Sequence, residues 1–349
     1  MSDDAGRPSR PLLTAYVDVD RLERNLTRFH ALAAAHGPAV RAHVKAHRTV
    51  EIARRQLRAG ARGIAVNQVA QARSYVAAGI TDVVIAHPWR DPWRWRLIAE
   101  LARDCRVAVH VDSLESVAGL SAAAASADSV VGIRVQLGTG DDITATPDDT
   151  LVDLARAAAR ARSLSLDGIT GYQALTTAES APDREAVGRA AAEYAVRSAG
   201  LLRAHGLTFR TVAVGGTPTA EGALAVEGVT EVCSGAYALQ DAGMAAIGVC
   251  APDDVAVSVT AEPGAGDALL DAYPYPWQTP GERMPRPGPG PVHLLPPHVC
   301  ALMPQIDHVT AREQKRPDST WHVLNQMDEP DRAARPATRS PQTARTPRR

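Results

Sequence analysis

Phenylalanine is almost missing from this chain, at 2 residues in 349, and all aromatics together reach only 4 %. With abundant Ala and Arg, this bias points to a GC-rich genome and carries no functional information. Other scarcities exclude more. The formal net charge is −1, without the basic excess expected of a protein that binds nucleic acid or an acidic membrane surface. No apolar run approaches the roughly 18 residues that span a bilayer. The opening MSDDAGRPSRP lacks the charged-then-apolar order of a signal peptide. Cysteine is limited to Cys105, Cys233, Cys250 and Cys300, far apart and with no CxxC pair. In a reducing compartment such spacing reads as buried thiols or a lone metal ligand, not a disulfide frame. These absences lead us to expect a cytoplasmic globular protein with no nucleic-acid or membrane partner. Hydrophobic residues at 45 % and charged residues at 22 % are ordinary for that class, and 349 residues suit a large domain plus a smaller one.

What is present is a repeat of short β-like runs and longer Ala/Leu/Arg helical stretches. The runs are RAHVKAH (41–47), GIAVN (63–67), DVVIAHP (82–88), VAVHVDS (107–113), VGIRVQLG (131–138), GITGYQA (168–174), TVAVGG (211–216) and EVCSGAY (231–237). Segments of 3.6-residue apolar period, such as EIARRQLRAGA, separate most neighbours. Strict alternation argues for a parallel sheet with helical crossovers, and eight units for a closed (β/α)8 barrel over residues 21–249. An open doubly wound sheet is the lesser choice. The pattern changes after Gly248. VAVSVTAE (255–262), VHLLPPHVC and STWHVL read as strands around a proline-rich stretch. They predict a small β domain over 250–329, joined by an N-terminal strand within 12–20. Residues 330–349 are rich in Pro, Thr and Arg and are expected to be a disordered basic tail.

Three clusters carry chemistry. His43, Lys45 and His47 alternate along the first run, so on a strand all three would face the barrel mouth. Burial there would favour the neutral, imine-forming amine; the bland alternative is a lysine reaching to the rim beside two hydrogen-bonded histidines. Gly215, Gly216 and Thr217 end the seventh run, and Ser234, Gly235 and Tyr237 end the eighth. The loops after strands 7 and 8 are the usual phosphate site of such barrels, although glycines there can simply make tight turns. In PPHVC, His298 and Cys300 would lie on one side of an extended strand, as two corners of a tetrahedral zinc. Two ligands alone are a poor motif and are more often structural.

The order of these clusters resembles the D-serine dehydratase and D-threonine aldolase family of fold-type III pyridoxal phosphate enzymes, from about Leu12 to Cys300. AHVKAHRTVEIARRQL is similar to the family's PHxKTHKxxxIAxxQL, VAVGGTPT to its GGGTxT phosphate loop, EVCSGAYALQD to its (E)xxxGxYxxxD element and LPPHVC to its IPNHxC segment. The resemblance implies pyridoxal 5'-phosphate as a Schiff base on Lys45, with Tyr172 beside the cofactor ring and Zn2+ on His298 and Cys300. It also implies a homodimer and a small-molecule amino-acid substrate. Lys45 would then serve as the base at the α-carbon, among His43 and His47. The family's aldolases carry His and Asp at the metal segment, so Cys300 leans toward the dehydratases.

Departures stand beside these matches. Gln136 occupies the place of a family acid, and Asp141 falls about where an arginine contacts the cofactor's phenolic oxygen. A histidine expected soon after Tyr172 is missing from ALTTAESAP, and DAYPYPWQ replaces DAGxKA. The expected activity is a metal-assisted lyase on a β-hydroxy D-amino acid, by elimination or retro-aldol cleavage. The alternatives are an amino-acid racemase, with Tyr273 or Tyr275 as second base, and a non-catalytic pyridoxal phosphate carrier.

Overall fold

The computed structural model describes residues 13–138, 143–144, 146–173, 183–261, 292–314 and 316–327. The tail 330–349, Asp141, Tyr273 and Tyr275 lie outside the described residues.

Eight parallel strands close into a barrel: β2 (Ala39–His43), β3 (Gly63–Val66), β4 (Asp82–Ile85), β5 (Arg106–Val111), β6 (Val131–Leu137), β7 (Leu164–Tyr172), β8 (Thr211–Gly215) and β9 (Glu231–Ser234). Each pairs with the next, and β9 returns to β2 through registers such as Arg41↔Cys233. Each overlaps one of the eight runs read from the sequence, though β2, β5 and β7 begin before theirs. They are buried on both faces, which is why they read as continuous Val/Ile/Ala segments such as GIAV. A helix follows every barrel strand, from α2 (Val50–Arg58) after β2 to α9 (Ala242–Ala246) after β9.

A five-stranded sheet lies beside the barrel, in the order β11 (Val292–Leu294), β10 (Val257–Ala261), β1 (Leu13–Asp18), β12 (His308–Arg312) and β13 (Ser319–His322). The N-terminal strand is therefore the middle of this sheet, antiparallel to β10 and parallel to β12. Its last residue, Asp18, caps α1 (Val19–His36) by accepting from Arg21 N at 2.9 Å. Two sheet expectations need correction. β12 was not anticipated, and PPHVC is not extended: Val299–Leu302 form a helical turn, α10, with His298 at its N-cap position. The carbonyls of Pro296 and Pro297 accept from Ala242 and Gly243 N, both at 3.0 Å. This pins the segment onto α9, where the chain turns instead of continuing as a strand.

The two ends of the barrel interior differ. Toward the N-terminal ends of the strands, Arg41 Nε donates to Glu231 Oε1 at 2.8 Å and Arg134 Nη1 to the same oxygen at 2.5 Å. Asp82, Asp167 and Arg106 extend the network. Above it sit small side chains, Ala65, Val84 and Ala108 with Ala86 and Cys233. They leave room for a cavity at the C-terminal ends, where barrels of this kind carry their sites.

Candidate active site

A cavity of about 600 Å3 opens at the C-terminal ends of the strands. Lys45 enters it from just beyond β2, on the 3-10 turn Val44–Ala46 that follows His43. The amine Nζ stands 6.0 Å from the centroid of the Tyr172 ring at the end of β7. Gly215, Gly216 and Thr217 line the same wall, as do Ser234 and Gly235. Gly216 has φ +115°, and a Cβ there would lie 2.9 Å from Thr219 Oγ1. A Cβ on Gly235 would overlap the carbonyl oxygen of His43, so glycine is what lets the β9 loop close onto the turn that carries Lys45.

Two hydroxyls sit in this wall. Thr217 Oγ1 accepts from Tyr237 N at 3.2 Å, which leaves its own hydrogen to donate. Ser234 Oγ is buried with no hydrogen-bond partner. An unpaired buried hydroxyl next to open glycine backbone is an anion seat wanting its acceptor. The residues present therefore fit a phosphate-bearing cofactor, with the Lys45 amine in the same cavity to anchor it. The chain holds only two lysines, Lys45 and Lys315. Arg replaces Lys almost everywhere else, and a guanidinium cannot form an imine. That scarcity is a further sequence signal for Lys45.

Two residues assigned to this site from the sequence are not in the cavity. The strand stops at His43, so the two-residue alternation does not carry through the tighter turn to His47. His47 is fully buried, its Nδ1 accepting from Thr49 N at 3.1 Å and its Nε2 donating to Gln56 Oε1 at 3.0 Å. Burial pushes its pKa down to about 4, against these hydrogen bonds. Tyr237 is also buried, its ring stacked on Phe29 at 4.1 Å and its hydroxyl held by His30 and Gln56. It serves the site by holding Thr217 through its backbone N–H.

The cavity floor carries His43 and His110. Burial, then Lys45 and His110, holds His43 well below the usual imidazole range. Burial and Arg134 bring His110 down to about 3. Both are neutral near pH 7, able to accept as well as donate. The sequence reading passed over His110, although it lies on the inward face of β5 near its C-terminal end. Arg48, Asn67, His87 and Gln136 also line the cavity.

His298 and Cys300 reach it from the second sheet's side. Although α10 is not the expected strand, it still brings both donors together, and their side chains hydrogen-bond each other. Burial pushes the Cys300 thiol up, but the adjacent His298 outweighs it and the net shift is down. Burial also opposes charge on His298, yet Cys300 and Asp241 raise it to about 10. Asp241 Oδ2 accepts from His298 Nδ1 and Val299 N, both at 2.9 Å, while its Oδ1 accepts from Met244 N at 2.8 Å. Aspartate thus fixes the imidazole from behind, as the outer partners of metal-binding histidines do. Thiolate and imidazole are a donor pair suited to zinc. Among the described residues no group of three or more His, Cys, Asp or Glu converges on one point. A metal here would have two protein donors.

Residues 17–241 match the family described as alanine racemase, N-terminal domain. The chain belongs to that family. Within it, the chain is 34 % identical over 241 residues to a D-threonine aldolase from Arthrobacter sp, covering 68 % of this chain and 63 % of the aldolase. It is 34 % identical over 273 residues to D-threo-3-hydroxyaspartate dehydratase from Delftia sp. (strain HT23), covering 74 % of this chain and 70 % of the dehydratase. The solved structure of that dehydratase superposes with TM-score 0.79 at 25 % identity, over 91 % of this family member and 98 % of the other chain. Two variants of the dehydratase have also been solved. One replaces a histidine by alanine, and the other replaces a cysteine two positions later and is metal-free.

Proposed function

We propose that the protein is a pyridoxal phosphate-dependent, metal-assisted lyase acting on a β-hydroxy D-amino acid. The observation that carries the reading is the meeting of Lys45, the Gly215–Thr217/Ser234 wall and the His298–Cys300 pair in one cavity. The His-x-Cys spacing of that pair matches the two positions substituted in the dehydratase variants, and the relatives are lyases on substrates of this class.

Pyridoxal phosphate would supply an electron sink for the charge left on the substrate's α-carbon when a bond to it breaks. Lys45 would hold the group and, once displaced by the substrate amine, move the proton at Cα. Ser234 and Thr217 would donate to the phosphate beside the backbone N–H groups of the glycine wall. His298 and Cys300 would hold zinc, a Lewis acid for the β-hydroxyl, with Asp241 keeping the imidazole in one tautomer. Elimination would expel the β-hydroxyl as water, and hydrolysis of the resulting enamine would take one water up again, leaving ammonia and a 2-oxo acid as net products; cleavage of Cα–Cβ would release an aldehyde or oxo acid and a shorter amino acid.

Product analysis on both enantiomers of serine, threonine and 3-hydroxyaspartate, with and without chelator, tests the reading. Turnover of one hand only, with a chelator-sensitive rate, is expected. Comparable turnover of both hands would overturn the assignment to a D-amino-acid lyase, and interconversion without elimination or cleavage would make the protein a racemase. Purified protein should be yellow, and Lys45→Ala colourless with turnover abolished. After borohydride reduction the label should sit on the Lys45 peptide; a label on Lys315 would sink the assignment.

A further inference from the structure

The cavity holds one basic side chain, Arg48, that neither the cofactor nor the metal pair engages. Among its described lining residues the basic side chains other than histidine are Lys45 and Arg48, while Asp112 is an anion already paired with Arg90 at 2.9 Å. Lys45 is committed to the cofactor, and His298 to Cys300 and Asp241. Arg48 is left. Its Nη1 donates to Asn325 Oδ1 at 3.0 Å, but its buried Nε has no partner. The Nε–Nη2 edge is one of the two edges of a guanidinium that can fork onto a carboxylate.

The backbone tells the same story independently. Arg48 has φ +55°, in the left-handed region a non-glycine residue rarely occupies. Hydrogen bonds hold it there: Arg48 N to Val44 O and Leu324 N to Arg48 O, both at 2.7 Å. A contact from the β2 turn and one from the segment after β13 thus fix where this side chain starts. Asn325, next to Leu324, fixes one end of the guanidinium. Arg48 and Cys300 line the same cavity, so the guanidinium shares it with the groups proposed for the β-hydroxyl.

We propose that Arg48 receives a carboxylate of the substrate through its Nε–Nη2 edge, resting on the lyase reading for what the substrate is. An amino acid offers an α-carboxylate, and a 3-hydroxyaspartate a second one on the β-carbon. The chemistry is shared, and kinetics separates the sources.

Arg48→Lys and Arg48→Gln are prepared as cofactor-loaded protein alongside wild type, with thermal unfolding as a check on folding. Succinate binding is measured by calorimetry, and KM and kcat for D-serine and D-threo-3-hydroxyaspartate are measured separately. Arg48→Gln should weaken succinate binding by about tenfold to a hundredfold, the range for a lost hydrogen bond to a charged group. Arg48→Lys should fall between, because an ammonium keeps the charge and loses the fork. KM raised for both substrates assigns the α-carboxylate; KM raised for the dicarboxylate alone assigns the β-carboxylate. Wild-type succinate affinity in folded Arg48→Gln, with KM unchanged for both substrates, overturns the proposal. A protein that binds succinate through Arg48 but turns over neither substrate would leave the carboxylate seat standing and remove the lyase reading.

Discussion

The barrel interior holds polar side chains at both ends, and the ends treat them in opposite ways. At the N-terminal end Arg41, Arg134 and Glu231 are buried and matched to one another, with Asp82, Asp167 and Arg106 around them. Among the buried side-chain nitrogens and oxygens of the described residues there, only Arg41 Nη2 lacks a partner. At the C-terminal end, Ser234 Oγ and Arg48 Nε are buried without partners, and His43 and His110 are kept neutral. Burying a charge costs little only when the opposite charge is already in place. A paired network therefore reads as architecture. Unpaired donors around a cavity read as places prepared for a ligand.

That contrast can be broken most forcefully at Glu231. Removing it by Glu231→Ala leaves two buried guanidinium groups facing each other and should cost about 3–5 kcal/mol, read by urea unfolding. Burial alone would raise the Glu231 pKa, but Arg41 and Arg134 hold it down at about 2. A depressed carboxylate contributes stability that is fully present above its ordinary value near 4.5 and fades as pH falls toward 2. The wild type should show that acid loss, and Glu231→Gln should have less of it. Equal acid sensitivity in the two proteins would show that the network is not what holds this end.

A smaller effect is expected behind the metal donors. Asp241→Asn keeps the side chain's shape but removes the charge that orients His298. Metal affinity should drop by about 10- to 100-fold in competition with a chelator, with the yellow colour retained. Unchanged affinity would make Asp241 a cap for α9 and nothing more. The smallest effect is expected at Ser234. Ser234→Ala removes an unpaired buried hydroxyl, so unfolding stability should hold or rise slightly. Cofactor retention should weaken by about 1 kcal/mol, near fivefold in dissociation constant. A stability loss without a change in cofactor binding would place Ser234 with the architectural end instead.

Much of this molecule was determined by local pattern. Eight apolar runs separated by helical periods are enough for a closed parallel barrel, because period and crossover length leave few other ways to bury them. Lys45, the glycine wall and the His298–Cys300 spacing were legible because their chemistry depends on residue type and near neighbours. What failed, failed where side-chain direction depends on where an element ends. His47 belongs to a run that looks extended, but β2 stops at His43 and the following turn rotates His47 into the wall. Tyr237 was drawn in by its motif, yet its hydroxyl answers to His30 and Gln56, contacts made across the fold. PPHVC looked like a strand until its proline carbonyls met α9. Asp241 behind His298 and Asn325 beside Arg48 are partnerships across 57 and 277 positions of sequence. No local pattern encodes a pairing at that separation; only the closing of the barrel against the second sheet brings those atoms within reach.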